Sequence, residues 1–193
     1  ISCSLVGSEM CIRDSPNSVT VGNYYTSEED IVASLNGVYT SLTQSYVADN
    51  YHYFTDVRAN ATVVTNSGAN SGIPYQFYNY TLTEENVYVY NRYSQLYKII
   101  SRANTLFAHL GDVSYATPSA RDTYEAEARF LRALSYYWLV TEWGDVPLVL
   151  KVLESTEEVR ANNYRRPKAE IYQAIFDDLK YVTESPLPDV QPA

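Results

Sequence analysis

The chain is poor in the residues that carry most protein chemistry: among 193 residues there are 2 cysteines, 2 histidines and 1 methionine. Cys3, Met10 and Cys11 all fall in one N-terminal stretch. That stretch, Leu5-Val-Gly-Ser-Glu-Met-Cys-Ile-Arg-Asp14, is in order the translation of a common transposon sequencing adapter (CTC GTG GGC TCG GAG ATG TGT ATA AGA GAC). The adapter's leftover AG can complete the codon of Ser15. Residues 1–15 are therefore set aside as non-native, and residues 16–193 are the domain to be explained. That remainder holds no cysteine, which excludes a disulfide framework, a cysteine-ligated metal cluster and a cysteine nucleophile. It has no initiator of its own, and it stops abruptly at Pro188-Asp-Val-Gln-Pro-Ala193. It reads as an N-terminal fragment truncated at its C-terminus, with any signal peptide or lipid-bearing cysteine upstream.

Basic charge is also scarce. Lys and Arg total 14 against 23 Asp and Glu, a net charge of −9; removing Glu9, Arg13 and Asp14 takes away a net −1 and leaves −8. An acidic chain is a poor partner for nucleic acid, whose phosphates require a basic footprint, and for anionic lipid. No apolar run approaches the roughly 18 residues of a membrane span. The length fits one domain or part of one.

Catalytic patterns are missing as well. There is no G-x-S-x-G elbow, no G-x-G-x-x-G and no phosphate loop. His52 and His109 fit local packing or surface roles. Glu125/Glu127 and Asp177/Asp178 could be drawn as acid/base pairs of a glycosidase. Adjacent or alternate helix positions point to different faces, so solvated charges are the expectation. Glu125 and Arg129, four apart, predict an ion pair on one helix face. No metal and no cofactor is called for.

What is abundant is tyrosine, 20 against 5 Phe and 2 Trp. A tyrosine has an apolar ring and a polar tip and suits half-wet surfaces. Most of these rings are expected between helices; the rest can stack on a ligand.

Four helices are predicted. The first follows Asn23-Tyr-Tyr: Thr26 with Glu29, or Ser27 with Asp30, fits a capping box, and Ile31, Leu35, Val38 and Leu42 recur at helical spacing. Gly37 inside it predicts the close approach of a neighbouring helix. Residues 46–85 read as a long irregular connection, with Tyr51–Val57 as a candidate ordered piece. The second helix spans Val87 to Leu110, with Tyr93, Leu96, Ile100, Ala103 and Phe107 as its buried stripe and Gly111 closing it. The third starts near Thr117-Pro118 and runs to Trp143, stopped by Gly144. Ala126, Phe130, Ala133 and Tyr137 are its expected buried face. The fourth starts near Pro167-Lys168 and carries Ile171, Ile175, Leu179 and Val182, with Pro186 and Pro188 ending it. The second and third helices begin about 31 residues apart, near a tetratricopeptide period.

Three stretches carry a family resemblance. Asn23-Tyr-Tyr-Thr-Ser-Glu-Glu-Asp30 with Leu35-Asn-Gly-Val-Tyr39, Tyr97-x-x-Ile100-x-x-Ala103-Asn104, and Glu125-Ala-Glu-Ala-Arg-Phe-Leu-Arg132 followed by Trp143-Gly-Asp-Val-Pro-Leu-Val149 closely resemble the signatures of the SusD/RagB family. The resemblance covers about residues 22–45, 93–110 and 122–185. It implies an all-α fold of tetratricopeptide-like antiparallel helix pairs, with a long irregular loop between the first two helices. It also implies a non-catalytic, lipid-anchored outer-membrane receptor at the cell surface, its anchor lost with the native N-terminus. Such a receptor binds a polysaccharide or oligosaccharide for a SusC-like TonB-dependent transporter. A RagB-like peptide-binding protein and a helical scaffold without small ligand are the alternatives. The motif in residues 125–149 is structural, and Trp138 and Trp143 within it are read as packing.

The candidate binding residues come from position and chemistry. The loop and the following helix start contain Tyr75, Phe77, Tyr78, Tyr80, Tyr88 and Tyr90. Sugar rings need flat aromatic faces and polar edges. Tyr75, Tyr78 and Tyr80 supply rings, and Asp56, Arg58 and Asn60 supply edges, with Asn79 beside them. Tyr78-Asn-Tyr80 and Tyr88-Val-Tyr90 equally fit short strands.

Overall fold

The computed structural model describes residues 24–44, 47–48, 50–65, 68 and 72–187. The segment 1–15, with Cys3, Met10 and Cys11, lies outside the described residues, as do Asn23 and Pro188. The helices are α1 Glu28–Leu42, α2 Tyr75–Tyr78, α3 Val87–His109, α4 Ala120–Trp143, α5 Thr156–Asn162 and α6 Lys168–Glu184, with a π-helical turn at Tyr53–Val57 between α1 and α2. Extended pairing among the described residues is one isolated antiparallel bridge, Val146 with Arg166. This is the all-α class that the sequence predicts. No described helix is long and apolar enough to cross a membrane.

Paired residues give the direction of each helix. Tyr25 stacks on His109 at 4.0 Å, while Arg102 Nη1 donates to the Gly37 carbonyl at 2.7 Å, so α1 and α3 run antiparallel. Arg92 meets Glu142 and Asn104 meets Arg132, so α3 and α4 do too. Asp178 meets Arg129 and Arg132, while the Lys168 N–H donates to Asp145, which sets α4 against α6. The result is a stack of antiparallel helical hairpins.

Its main core joins Val38, Leu96, Ile99, Ile100, Leu131, Tyr136, Leu139, Ile171 and Ile175. A second cluster of Ile31, Leu35, Leu106, Leu110 and Ala128 closes the other end. Each such aliphatic side chain contributes roughly 1.5–3 kcal/mol by leaving water.

Helix ends follow local chemistry. Of the two capping boxes predicted for α1, the Ser27/Asp30 box forms. The Asp30 carboxylate accepts from the N–H groups of Ser27 at 2.9 Å and Thr26 at 3.0 Å. The Thr26 N–H is the largest of several bonds that favour the charged carboxylate and lower its pKa. Glu28, at the same end, accepts from the Ala116 N–H and the Tyr124 hydroxyl, both at 2.7 Å. That hydrogen bond pushes the Tyr124 phenol up to about 12. Gly144, at φ 75, ends α4 as expected. Gly111 does not act as a left-handed cap, because Gly72 and Gly144 are the described glycines with positive φ.

Four expectations are corrected. A Cβ at Gly37 would meet nothing within 4 Å, so no helix backbone crowds that position; its carbonyl instead serves Arg102. On α4, Ala126 and Ala133 are buried, but Phe130 is 45% exposed and Tyr137 50% exposed. The buried face is rotated toward Leu131, Arg132, Tyr136, Leu139 and Val140. Glu125 and Asp178 are not solvated charges. Both are buried; Glu125 pairs with Arg129 at 2.7 Å and Asp178 with Arg132 at 2.7 Å. The i,i+4 pair Glu125–Arg129 is present as predicted. Finally, neither Tyr78–Tyr80 nor Tyr88–Tyr90 is a strand: Tyr78 ends α2 and is followed by a turn, and Tyr88–Tyr90 lies in α3.

Candidate functional site

The irregular connection after α1 is folded by its own aromatics. Phe77 of α2 is fully buried. Phe54 packs edge-on to it at 4.9 Å and Tyr53 lies at 5.8 Å. Tyr88, on the first turn of α3, closes the group at 5.5 Å from Tyr53. Asn86 ties the segment to the bundle. Its Oδ1 accepts from the N–H groups of Tyr88 and Val89, capping α3. Its Nδ2 donates to the Ile73 carbonyl and to Gln76 Oε1.

Arg92 lies beneath this layer with no exposed surface. Its guanidinium sits 4.8 Å from the Tyr51 ring, 4.9 Å from Phe54 and 5.4 Å from Trp138, a cation–π cage. Its Nε and Nη2 donate to the two oxygens of Glu142 at 2.7 and 2.6 Å. The loop aromatics and α4 are thus clamped to one buried cation. Sequence reading missed it, although Arg92 falls four residues before Leu96 on the buried stripe of α3. A charge on an apolar stripe was the available signal.

The six candidate residues lie on the outer side of this layer. Asp56, Arg58 and Asn60 are exposed, in or just past the π-helical turn. Tyr75 and Tyr78 are half-buried, with rings 5.6 Å apart. Tyr80 is 59% exposed, and its hydroxyl donates to the Arg58 carbonyl at 2.6 Å. The structure therefore joins Tyr80 to Arg58 and Tyr75 to Tyr78. Asp56 and Asn60 make no side-chain bond to those rings. The Asp56 carbonyl accepts from the N–H groups of Ala61 and Thr62, which folds the turn. Asn60 and Tyr80 both hold positive φ, 57 and 58, a conformation that costs side-chain-bearing residues free energy and clusters at ligand sites. Asn79 Oδ1 accepts from the Thr81 hydroxyl at 2.6 Å and fixes the exit of α2.

Both histidines have local partners. His109 Nδ1 lies 2.7 Å from Asp112 Oδ2, and the His52 ring packs against Tyr53 at 4.0 Å, tilted by 39°. Trp138 and Trp143 pack partly buried against the main core, as read from the sequence. Among the described residues no group of three or more His, Cys, Asp or Glu is placed to hold a metal ion.

Antiparallel helical hairpins carrying an aromatic-rich insert define a tetratricopeptide-like all-α fold. The chain belongs to the SusD-like family described as starch-binding and associating with the outer membrane, whose profile matches residues 15–191. It is 29% identical over 170 residues to SusD-like protein P2 of Formosa agariphila, covering 88% of this chain and 33% of that one. SusD-like protein P25 of the same organism is 26% identical over 167 residues, covering 82% and 31%. The chain thus spans about a third of the length of the curated relatives it matches. Among solved structures, a laminarin-binding SusD-like protein superimposes with a TM-score of 0.68 at 28% identity, covering 82% of this chain and 34% of that one. A SusD-like protein of Bacteroides fragilis superimposes at 0.73 with 21% identity, covering 88% and 32%; that likeness is one of fold.

Proposed function

We propose that this chain is the N-terminal part of a cell-surface glycan-binding receptor that captures polysaccharide or oligosaccharide and hands it to a TonB-dependent outer-membrane transporter. It binds and does not break bonds. The observation that carries this reading is the meeting of an aromatic segment, half-buried Tyr75 and Tyr78 with exposed Tyr80, with the exposed polar residues Asp56, Arg58 and Asn60, through the hydrogen bond from the Tyr80 hydroxyl to the Arg58 carbonyl. Rings stack on the C–H faces of sugars while carboxylate, guanidinium and amide edges read hydroxyls. Family membership and the laminarin-binding relative support the same ligand class.

The test is calorimetric titration of the purified chain with laminari-, malto- and xylo-oligosaccharides. Tyr78→Ala and Tyr80→Ala each weaken binding about threefold to tenfold, the size of one aromatic contact. Peptide binding without glycan binding, or hydrolysis of the oligosaccharide, overturns the reading.

A further inference from the structure

A second cleft, apart from the Tyr75–Tyr80 surface, opens between the start of α3 and the turn after α4. It has a volume of about 190 Å³, and Glu84, Tyr90, Tyr93, Trp143, Asp145 and Arg165 line it. That is below the roughly 300–1,000 Å³ of a drug-sized pocket, so it suits a single ring of a longer chain.

Its walls differ from ordinary surface in one respect. Tyr90 is 67% exposed, and neither its ring nor the Glu84 carboxylate nor the Arg165 guanidinium has a hydrogen bond, ion pair or ring contact among the described residues. Opposite charges share the rim of one cleft without neutralising each other. Trp143, by contrast, is fixed. Tyr93 packs against it at 5.3 Å and 73°, and Phe54 supports it at 6.3 Å. Asp145 uses Oδ1 on the Lys168 N–H at 2.9 Å, and its Oδ2 has no partner among the described residues. The cleft thus combines an anchored aromatic wall, a free aromatic ring, two carboxylates and one guanidinium.

We infer that the Glu84–Tyr90–Trp143–Arg165 cleft is an additional sugar subsite that takes one neutral pyranose ring and rejects acidic ones. This rests on the glycan-binding reading and extends it to a residue set that includes none of the six loop candidates. The rings take the apolar face of the sugar. The carboxylates accept from its hydroxyls, and Arg165 donates to them. Two carboxylates against one guanidinium leave the cleft at −1, on a domain that keeps −8 of the chain's −9 once Glu9, Arg13 and Asp14 are set aside. A uronate or sulfate therefore meets repulsion where a neutral hydroxyl meets partners. Phe54 links the two surfaces, touching Phe77 beneath the loop and Trp143 beside the cleft. An extended chain engaging both gains avidity.

The experiment uses the same neutral oligosaccharides, with oligogalacturonate as the acidic probe, on the parent chain, Tyr90→Ala, Arg165→Ala and Tyr78→Ala. Tyr90 and Arg165 are exposed, so these variants fold. The expected result is about threefold to tenfold weaker neutral-sugar binding in Tyr90→Ala and Arg165→Ala. Quenching of Trp143 fluorescence in a Trp138→Phe background, and binding of oligogalacturonate at least tenfold weaker than its neutral counterparts, are also expected. Neutral sugar binding that is weakened by Tyr78→Ala yet unchanged by Tyr90→Ala and Arg165→Ala overturns the subsite and leaves the loop site standing. Equal or tighter binding of oligogalacturonate overturns the neutral selectivity. No binding of any sugar overturns the glycan reading itself and this subsite with it.

Discussion

Arg92 and Glu142, 50 residues apart in sequence, form a bidentate pair at 2.7 and 2.6 Å. The guanidinium is wholly buried, and the carboxylate side chain keeps 14% of its surface. One cation therefore joins α3 to α4 while three aromatic rings of the bundle and the loop surround it. Removing the carboxylate takes away the charge paired with this buried cation and leaves it the Val47 carbonyl and the rings; breaking such a pair typically costs roughly 3–5 kcal/mol. Glu142→Ala is expected to lower unfolding free energy in urea by that order. Near-UV circular dichroism of the loop aromatics should weaken in parallel. An unchanged urea midpoint would show that the cage does not depend on the pair.

Gly37 sits in the interior of α1 with open space where its Cβ would be. Alanine is favoured over glycine in helix interiors by up to about 1 kcal/mol. Gly37→Ala should raise the thermal midpoint, and the Arg102 bond to the position-37 carbonyl should survive. A lower midpoint would mean that the backbone there does have a close neighbour.

The two sides of α4 should respond differently. Leu131 is 1% exposed, and Leu131→Ala is expected to cost about 2–5 kcal/mol through lost burial and the cavity left behind. Phe130→Ser and Tyr137→Ser, on the exposed side, should shift stability by no more than about 0.5 kcal/mol in this chain. Equal losses on both sides would contradict the helix rotation described above.

The Asp30 carboxylate titrates below its ordinary 3.8 because hydrogen bonds from Thr26 and Ser27 favour its charged form. A lowered carboxylate pKa adds stability above the unfolded value, and that stability is lost as pH falls through the folded one. The start of α1 should therefore fray only below about pH 3.8. The carboxylate chemical shift followed by NMR should show a midpoint under that value, and Asp30→Asn should abolish the pH response at Ser27.

Much of this arrangement is legible in the chain because α1, α3 and α6 carry aliphatic residues at helical spacing. The face of α4 is not, because charged residues there point inward. Arg132 meets Asp178 at 2.8 and 2.7 Å, Asn104 at 2.7 Å and the Leu150 carbonyl at 3.2 Å, contacts no periodicity rule sees. Rules that send every Arg and Glu outward rotate the helix toward Phe130 and Tyr137. α5 was missed because it buries no residue and so leaves no stripe; Ser155 followed by Glu158 was its one mark, and Ser155 Oγ does accept from the Glu158 N–H at 3.1 Å. Of the loop candidates, the Tyr80–Arg58 contact was not legible, since it spans 22 residues of chain without periodic pattern.

The ribbon from Val146 to Lys151 has a single backbone bridge, yet its polar groups are held. The Pro147 carbonyl receives the Tyr97 hydroxyl at 2.7 Å. Val149 exchanges both its N–H and its carbonyl with the Tyr136 hydroxyl, at 2.7 and 2.9 Å. Asn104 Nδ2 grips the carbonyls of Val149 and Lys151. With Arg132 on the Leu150 carbonyl, the path of this ribbon is therefore dictated by four polar side chains on two helices rather than by its own side chains. Leu150 can be exchanged with little effect on that path, whereas trimming the oxygen from Tyr136 frees a main-chain amide whose deuterium uptake will report the slackening directly.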